Sequence, residues 1–379
     1  NDIIKAPYEA VKGITQNRYL TVLSFAFNYW LGGLNPFGYH LINNLIHSFN
    51  ALLVCYFVIL TFKTPYFSNQ HPQIHPFTPF KEESLTGFTH SPYFIAFFSA
   101  LIFVSHPIQT QAVTYIAQRT ASMATMFYLL SLVMYIKFRI EQQGSRPAEQ
   151  ESEKRIHPFT HSPIHLKRSL LYCASVLSAI FAMKTKEIAV TLPVAITLYE
   201  CSFFNKSPNS CLSESPKETE RRTPNSKRFL YLLPILLTLL IIPLSVVNFK
   251  APVETITQDI NIHSKDTAQI TRTDYLLTQF RVIMTYLRLL IMPVNQSLDY
   301  SYPVYHSLSN PQVFLSFLSL LAIFGIAVYL FYISHVAHSG LRLMTFGIFW
   351  FFITLSVESS LIPIRHVIVE HRLYLPSIG

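Results

Sequence analysis

The 379-residue chain is 50% apolar and only 13% charged, with 29 Lys and Arg against 20 Asp and Glu for a formal charge of +9. That balance excludes an ordinary water-soluble domain. Basic excess in a soluble protein would raise nucleic acid as a partner. Here Lys and Arg gather in two loops between apolar stretches, where they set orientation in a membrane, and no nucleic-acid partner is expected. Cys55, Cys173, Cys201 and Cys211 have no CxxC or ligand-like spacing, so neither a disulfide framework nor a zinc site is indicated.

A bilayer core about 30 Å thick needs about 20 apolar residues per helix, and the sequence predicts an all-α polytopic membrane protein of roughly nine or ten embedded helices. Residues 17–32 mix Arg18 and Asn28 with aromatic and aliphatic side chains, which predicts a helix lying in the interface. The turn Gly32-Gly-Leu-Asn-Pro36 then leads into the first span. Embedded segments are expected at 39–62, 93–105, 118–136, 169–183, 188–204, 229–248, 275–292 (less hydrophobic than the others), 312–334 and 341–357, with another starting near 373. The whole of 1–379 is one membrane-embedded domain, and the absence of an initiator Met together with an apolar stretch opening at Gly379 predicts further sequence at both ends.

Lys and Arg fix the expected sidedness. Residues 137–168 carry Lys137, Arg139, Arg146, Lys154, Arg155, Lys167 and Arg168, and residues 205–228 carry a further six, so both linkers are expected in the cytoplasm. Alternation then puts 1–38, a first loop with its interfacial helix, and 249–311, a loop with an amphipathic helix, on the external face. The repeated strings His75-Pro-Phe-Thr78 and His157-Pro-Phe-Thr160 lie in polar linkers without ligand spacing and are assigned no function. Asn295-Gln-Ser297 is a formal glycosylation sequon on the external side.

Polar residues that do not read as linker fall on that external face, and ionisable groups at membrane depth are functional candidates or interhelical glue. His40, Asn43 and His47 share one stripe of the first span, with His40 nearest the surface. His106-Pro-Ile-Gln-Thr-Gln111 opens a helix at Pro107 that would carry Arg119 about three turns in; the guanidinium takes either a phosphate or a salt bridge to Glu187 or Glu370. Lys186-Glu187 sits in a short turn. Arg281 and Arg288, seven apart, share a helix face that suits a diphosphate, a lipid phosphate or ordinary anionic lipid, and Asp299-Tyr300 follows it. Glu370-His371-Arg372 sets an acid, a titratable base and a cation side by side. Together these residues suit the phosphate of a lipid carrier, and neither a P-loop, a GxSxG elbow nor an HExxH motif is present.

Leu23-Ser-Phe-Ala-Phe-Asn-Tyr29, Gly33-Leu-Asn-Pro-Phe-Gly-Tyr-His40, His106-Pro107, Lys186-Glu-Ile-Ala-Val-Thr-Leu-Pro193, Leu298-Asp-Tyr300 and Glu370-His-Arg-Leu-Tyr-Leu-Pro376 together resemble the transmembrane and tetratricopeptide-repeat-containing O-mannosyltransferase family over almost the whole chain. The resemblance implies a C-type glycosyltransferase bundle that moves a hexose, mannose above all, from a polyprenyl- or dolichyl-phosphate carrier to a Ser or Thr hydroxyl of a protein. It also implies an acidic pair in the first external loop as base, with cations on the departing phosphate. That pair aligns just upstream of Asn1, which leaves Asp2 as the base candidate here, joined by His40 and Glu370. Donor-phosphate contacts are expected from Arg18, Arg119, Lys186, Arg281, Arg288, His371 and Arg372. Asn43, His106, Gln111, Glu187, Asp299 and Tyr300 are expected to complete the cavity. Gln111 stands where the family usually has an acid, so a metal ligand is not assigned, although a divalent metal stays open as cofactor. Tetratricopeptide repeats are expected beyond residue 379, and the location is the endoplasmic reticulum membrane in a eukaryote or the inner membrane in a bacterium. The rival readings are a non-catalytic scaffold or transporter of the same architecture and a lipid-linked oligosaccharide ligase or polymerase.

Overall fold

Asn-Pro pairs start two of the long apolar helices in the same way. In the computed structural model, which describes residues 18–68, 91–144, 163–204, 225–242, 270–334, 339–359 and 366–379, Asn35 accepts from Phe37 N at 3.0 Å and Asn310 from Gln312 N at 3.0 Å, each with proline at the first helical position. The side-chain oxygen satisfies an amide that the helix leaves free, and proline presets the backbone without losing a bond. Ahead of the first pair, Gly33 adopts φ +59° between α1 (Tyr19–Gly32) and α2 (Pro36–Phe62), a conformation open to glycine at little cost.

The further elements are α3 (Pro65–Ser68), α4 (Pro92–Ser105), α5 (Thr110–Thr114), α6 (Arg119–Gly144), α7 (Pro163–Met183), α8 (Leu192–Phe203), α9 (Asn225–Leu237), α10 (Arg272–Ile291), α11 (Pro311–Ile333) and α12 (Ser339–Leu355), with short 3-10 turns between several of them. Among the described residues four helices are long and apolar enough to cross a membrane: Pro36–Phe62, Ile116–Gln143, Leu166–Met183 and Pro311–Ile333. Pro92–Ser105 with Pro107–Thr114, bent by 51°, makes a fifth if taken as one span, and Leu230–Leu240 and Gly340–Leu355 are shorter apolar helices. The chain is an all-α polytopic membrane protein.

Several boundaries differ from the sequence expectation. Arg119 does not stand three turns into a helix begun at Pro107. The backbone goes extended at Tyr115, after the β-branched pair Val113-Thr114, and α6 starts afresh at Arg119. The basic stretch at 137–144 belongs to α6, because Arg139 is buried in an ion pair with Glu200 of α8 to which Tyr135 also donates at 3.1 Å. Residues 188–204 divide into a 3-10 turn (Glu187–Thr191) and α8, and in place of a helix near 373 there are two 3-10 turns, Glu370–Leu373 and Pro376–Ile378.

The main core interleaves aromatic rings with Leu, Val, Ile and Ala side chains. Trp350 of α12 is fully buried, meets Tyr128 of α6 edge-on at 5.5 Å and donates from its indole to Leu375 O at 3.0 Å. Ser131 of α6 and Ser175 of α7 each donate to the other's carbonyl, at 2.8 and 2.9 Å, a close approach that only small side chains permit. Gly347 serves the same purpose at the last turn, since a Cβ there would lie 2.7 Å from Gly379 O. Helix α11 turns most of its residues outward, with Val313, Ser316, Leu320 and Ala327 alone buried, as a lipid-facing helix does. The alternating helices bring Tyr39, Arg119, Lys186 and Glu358 to one end of the bundle, and Thr64, Arg139, Glu200 and Arg342 to the other.

Candidate functional site

Polar groups converge on the turn Glu370–Leu373, which follows α12 in the chain, packs against residues 107–114 and carries the acid-base-cation trio. Glu370 is buried, and its carboxylate is filled. Tyr300 OH and Ser297 N (3.0 Å) donate to Oε1, and Gln296 Nε2 donates to Oε2 at 3.0 Å. All three donors come from the loop after α10, where Asn295 takes φ +58°, so this carboxylate fastens that loop. Burial first, and then the adjacent Glu370, push the Tyr300 hydroxyl pKa upward, so Tyr300 remains a donor at neutral pH.

His371 is held by Gln111, whose Oε1 accepts from the His371 backbone N at 2.7 Å and faces Nδ1 at 3.1 Å. An amide oxygen can only accept, so Nδ1 carries the proton and Nε2 keeps its lone pair. Gln111 Nε2 donates onward to Leu298 O at 3.2 Å, tying the same loop again. Burial pushes the His371 pKa down to about 2, helped by the positive charge of Lys186, Arg372 and Arg18. The imidazole is therefore neutral inside a ring of cations.

Those cations are only partly compensated. Lys186 Nζ lies 2.6 Å from Glu358 Oε1, both nearly buried, while the second Glu358 oxygen is buried without a partner. Arg18 meets Glu187 at 3.4 Å with both side chains partly in solvent. Arg372 donates to His366 O (2.7 Å) and Val367 O (3.1 Å), with Tyr275 OH at 3.4 Å. Burial works against its charge, but Tyr286, Tyr275 and Glu358 outweigh that and raise its pKa. Arg18, Lys186, Glu187, Glu358, His371 and Arg372 thus form one electrostatic unit. An apolar groove of about 420 Å³ is lined by Val190, Thr191, Val194, Leu239, Phe352, Ile353, Ser356 and Val357, with Val190 four residues after Lys186 and Val357 next to Glu358 in the chain.

The remaining expected residues stand elsewhere. Arg119 is fully buried, with Nε on Asn43 Oδ1 (2.7 Å), further bonds to Asn28 Oδ1, Ser24 O and Tyr39 O, and the Phe25 ring 4.5 Å away. Its salt bridge to Glu187 or Glu370 does not form, because those carboxylates are taken by Arg18 and Tyr300. Asn43 passes the network on to Val113 O at 3.0 Å. His47 accepts at Nδ1 from Tyr374 OH (2.7 Å) and donates from Nε2 to Val104 O (3.1 Å), so the lower part of the stripe joins helices. His40 is half-buried near the start of α2. His106 accepts from Ile108 N at 3.1 Å and reaches Leu290 O at 3.1 Å, capping a turn. Arg288 is exposed and acts electrostatically on Tyr300, whereas Arg281 is half-buried beside Tyr302 with its Nε lacking an acceptor. Asp299 is exposed, and Asp2 lies outside the described residues. Among the described residues no three His, Cys, Asp or Glu side chains converge to hold a metal ion. Gln296 and Ser297 stand in the sequence only as part of a glycosylation sequon and His366 carries no motif; Ser297 and His366 act through backbone and Gln296 toward a residue 74 positions away, which leaves no pattern in spacing.

The architecture and this site define a class, a polytopic membrane protein with a cationic, partly compensated cluster beside an apolar groove at one end of its bundle. The sequence comparisons narrow it. The chain is 26% identical over 404 aligned positions to protein O-mannosyl-transferase Tmtc3 of Drosophila melanogaster, covering all of this chain and 40% of that protein. It is 36% identical over 120 residues to protein O-mannosyl-transferase TMTC2 of Mus musculus (32% of this chain, 11% of that one) and 28% identical over 226 residues to TMTC1 of Homo sapiens (57% and 21%). The resemblance to the O-mannosyltransferase family read from the motifs therefore runs through the whole chain, which spans about two fifths of the Drosophila relative. No family model and no solved structure matches.

Proposed function

We propose that the full-length protein is a membrane glycosyltransferase that moves a hexose, mannose being the reading favoured by its relatives' names, from a polyprenyl- or dolichyl-phosphate carrier to a Ser or Thr hydroxyl of a protein. The observation that carries this is the partly compensated cluster of Arg18, Lys186, Arg372 and neutral His371 beside the apolar groove. A phosphate with an isoprenoid tail needs both features at once, charge for its head and an apolar surface for its chain. In the transfer, the acceptor oxygen attacks the anomeric carbon and the bond from that carbon to the phosphate oxygen breaks. The electron pair leaves with the phosphate, whose growing charge the cations stabilise. The hydroxyl proton goes to a carboxylate base, for which Asp2 and the acidic pair expected before it are the candidates, with His40 near the start of α2 as a further candidate base. Glu370 serves by fastening the 296–300 loop, since both its carboxylate oxygens face donors from that loop.

On this reading the cluster faces the lumen of the endoplasmic reticulum in a eukaryote or the exterior of a bacterial inner membrane, with the stretches around 145–162 and 205–224 in the cytoplasm. The test is mannose transfer from a polyprenyl-phosphate-mannose donor to an acceptor protein by the full-length protein in liposomes. Wild type transfers, and Arg18→Ala and Arg372→Gln, shown folded by size-exclusion profile, lose at least about tenfold, the loss expected when one charged hydrogen bond to the transition state goes. Equal rates in all three overturn the proposal in favour of a scaffold or transporter of the same architecture.

A further inference from the structure

Helix α12 carries a single charge in its 17 residues, Arg342, one turn from its start and at the end of the bundle away from Lys186. Arg342 is fully buried, and its Nε and both terminal nitrogens are buried without an acceptor. The contrast with the other buried arginines is direct: Arg119 has carbonyl and amide oxygens, Arg139 has Glu200, and Arg372 has two carbonyls. Around Arg342 there are rings, Tyr66 at 4.5 Å and Phe331 at 5.7 Å from the guanidinium, and the neutral Tyr66 hydroxyl, which donates to Ser334 O at 3.3 Å, is the polar group that favours its charge most, with no anion beside it among the described residues. Ring faces offset only part of the cost of taking a guanidinium out of water, and buried charges in proteins are paired. A missing acceptor is the simplest resolution, and the surroundings specify it further. The first-turn amides of α12 have no partner inside the helix and add positive potential at the same corner. Ser202 Oγ, on α8 where it packs against α12, is also buried without a partner. Exposed Lys63 stands three residues before Tyr66, where the chain emerges from α2.

We propose that the corner formed by α3, α8, α11 and the first turn of α12 binds the phosphate of an anionic phospholipid, with the Arg342 guanidinium as its fork-shaped ligand and Tyr66 and Phe331 as walls. Guanidinium matches a phosphate oxygen pair in geometry, and a lipid supplies its phosphate at the depth where a helix ends. This site is separate from the cluster at Lys186, and with the orientation given by Lys and Arg it faces the cytoplasmic leaflet. The lipid would clamp the junction between α11 and α12 from inside, without taking part in transfer.

The experiment is thermal unfolding of the full-length protein in neutral detergent, for wild type, Arg342→Leu and Arg342→Lys, titrated with phosphatidic acid, with phosphatidylcholine, or with inorganic phosphate. Wild type is expected to melt at rising temperature as phosphatidic acid increases, with no response to phosphatidylcholine. Arg342→Leu should lose most of the response although it is at least as stable as wild type without lipid, because it removes an unpaired charge. Arg342→Lys should keep part of it. A response to inorganic phosphate that matches phosphatidic acid and needs Arg342 would keep the site and its phosphate chemistry but overturn the lipid as source. Equal phosphatidic acid shifts in wild type and Arg342→Leu, or none in either, would overturn the proposal altogether.

Discussion

Lys186 and Glu358 make the sharpest case for a charge kept inside the bundle for a purpose. Removing one partner of a nearly buried ion pair strands the other, at a cost of about 3–5 kcal/mol, whereas replacing both with apolar residues is often close to neutral. Lys186→Met is therefore expected to unfold at much lower temperature than wild type, and Lys186→Met with Glu358→Leu to recover most of the loss; a double variant as unstable as the single one would show that the two side chains act separately. His371 gives a pH dependence. Its folded pKa of about 2 lies below the ordinary value of 6.5, so the unfolded chain binds the proton more readily between those limits. The stability this group contributes is complete above about pH 6.5 and is lost as pH falls toward 2. Melting temperature should fall with pH below about 6.5, and Gln111→Glu, which sets a carboxylate on Nδ1–H, should flatten that slope by raising the His371 pKa. A slope unchanged in Gln111→Glu would mean that His371 does not titrate as described.

At the scale of elements, much was legible because the signals are local. Asn35-Pro36 and Asn310-Pro311 mark helix starts that the structure reproduces to within a few residues of the predicted 39 and 312. What could not be read was the break at Tyr115, since a run of Gln, Ala, Val and Thr allows both a continuous helix and a kink, and tertiary partners decide. That break alone changes the meaning of Arg119, from a side chain within a helix and open to a ligand to the strut that fixes α1 against α2 and α6. Arg119→Leu should leave Asn28, Ser24 and Asn43 without their shared donor. Hydrogen exchange in 19–32 is expected to accelerate markedly while the middle of α6 stays protected, and unchanged exchange in α1 would contradict the strut. Gly33→Ala, at φ +59° and ψ −133°, should destabilise by about 1–3 kcal/mol, read by denaturant or thermal unfolding.

For the whole molecule, composition was decisive for the membrane class, and the motif strings pointed to the family that the comparisons support. Sequence alone gathered Arg18, Lys186, His371 and Arg372 onto one face but could not say which arginines are free to receive an anion, because that depends on who else fills their donors. Arg119 is filled; Arg18 and Lys186 lean on single carboxylates that a phosphate can replace. Sidedness follows from the same plan: in a cysteine-free background, a cysteine placed at residue 299 and one placed within 145–162 should react with an impermeant maleimide from opposite sides of the membrane, and labelling from one side would contradict the orientation. The most direct test of the central claim is photocrosslinking of a polyprenyl-phosphate-hexose donor with a photoreactive group in its first isoprene units. The account predicts adducts within 187–194 and 352–357, abolished by excess unlabelled polyprenyl phosphate and weakened in the Lys186→Met, Glu358→Leu variant. Competed adducts confined to other segments, and indifferent to that variant, would contradict it.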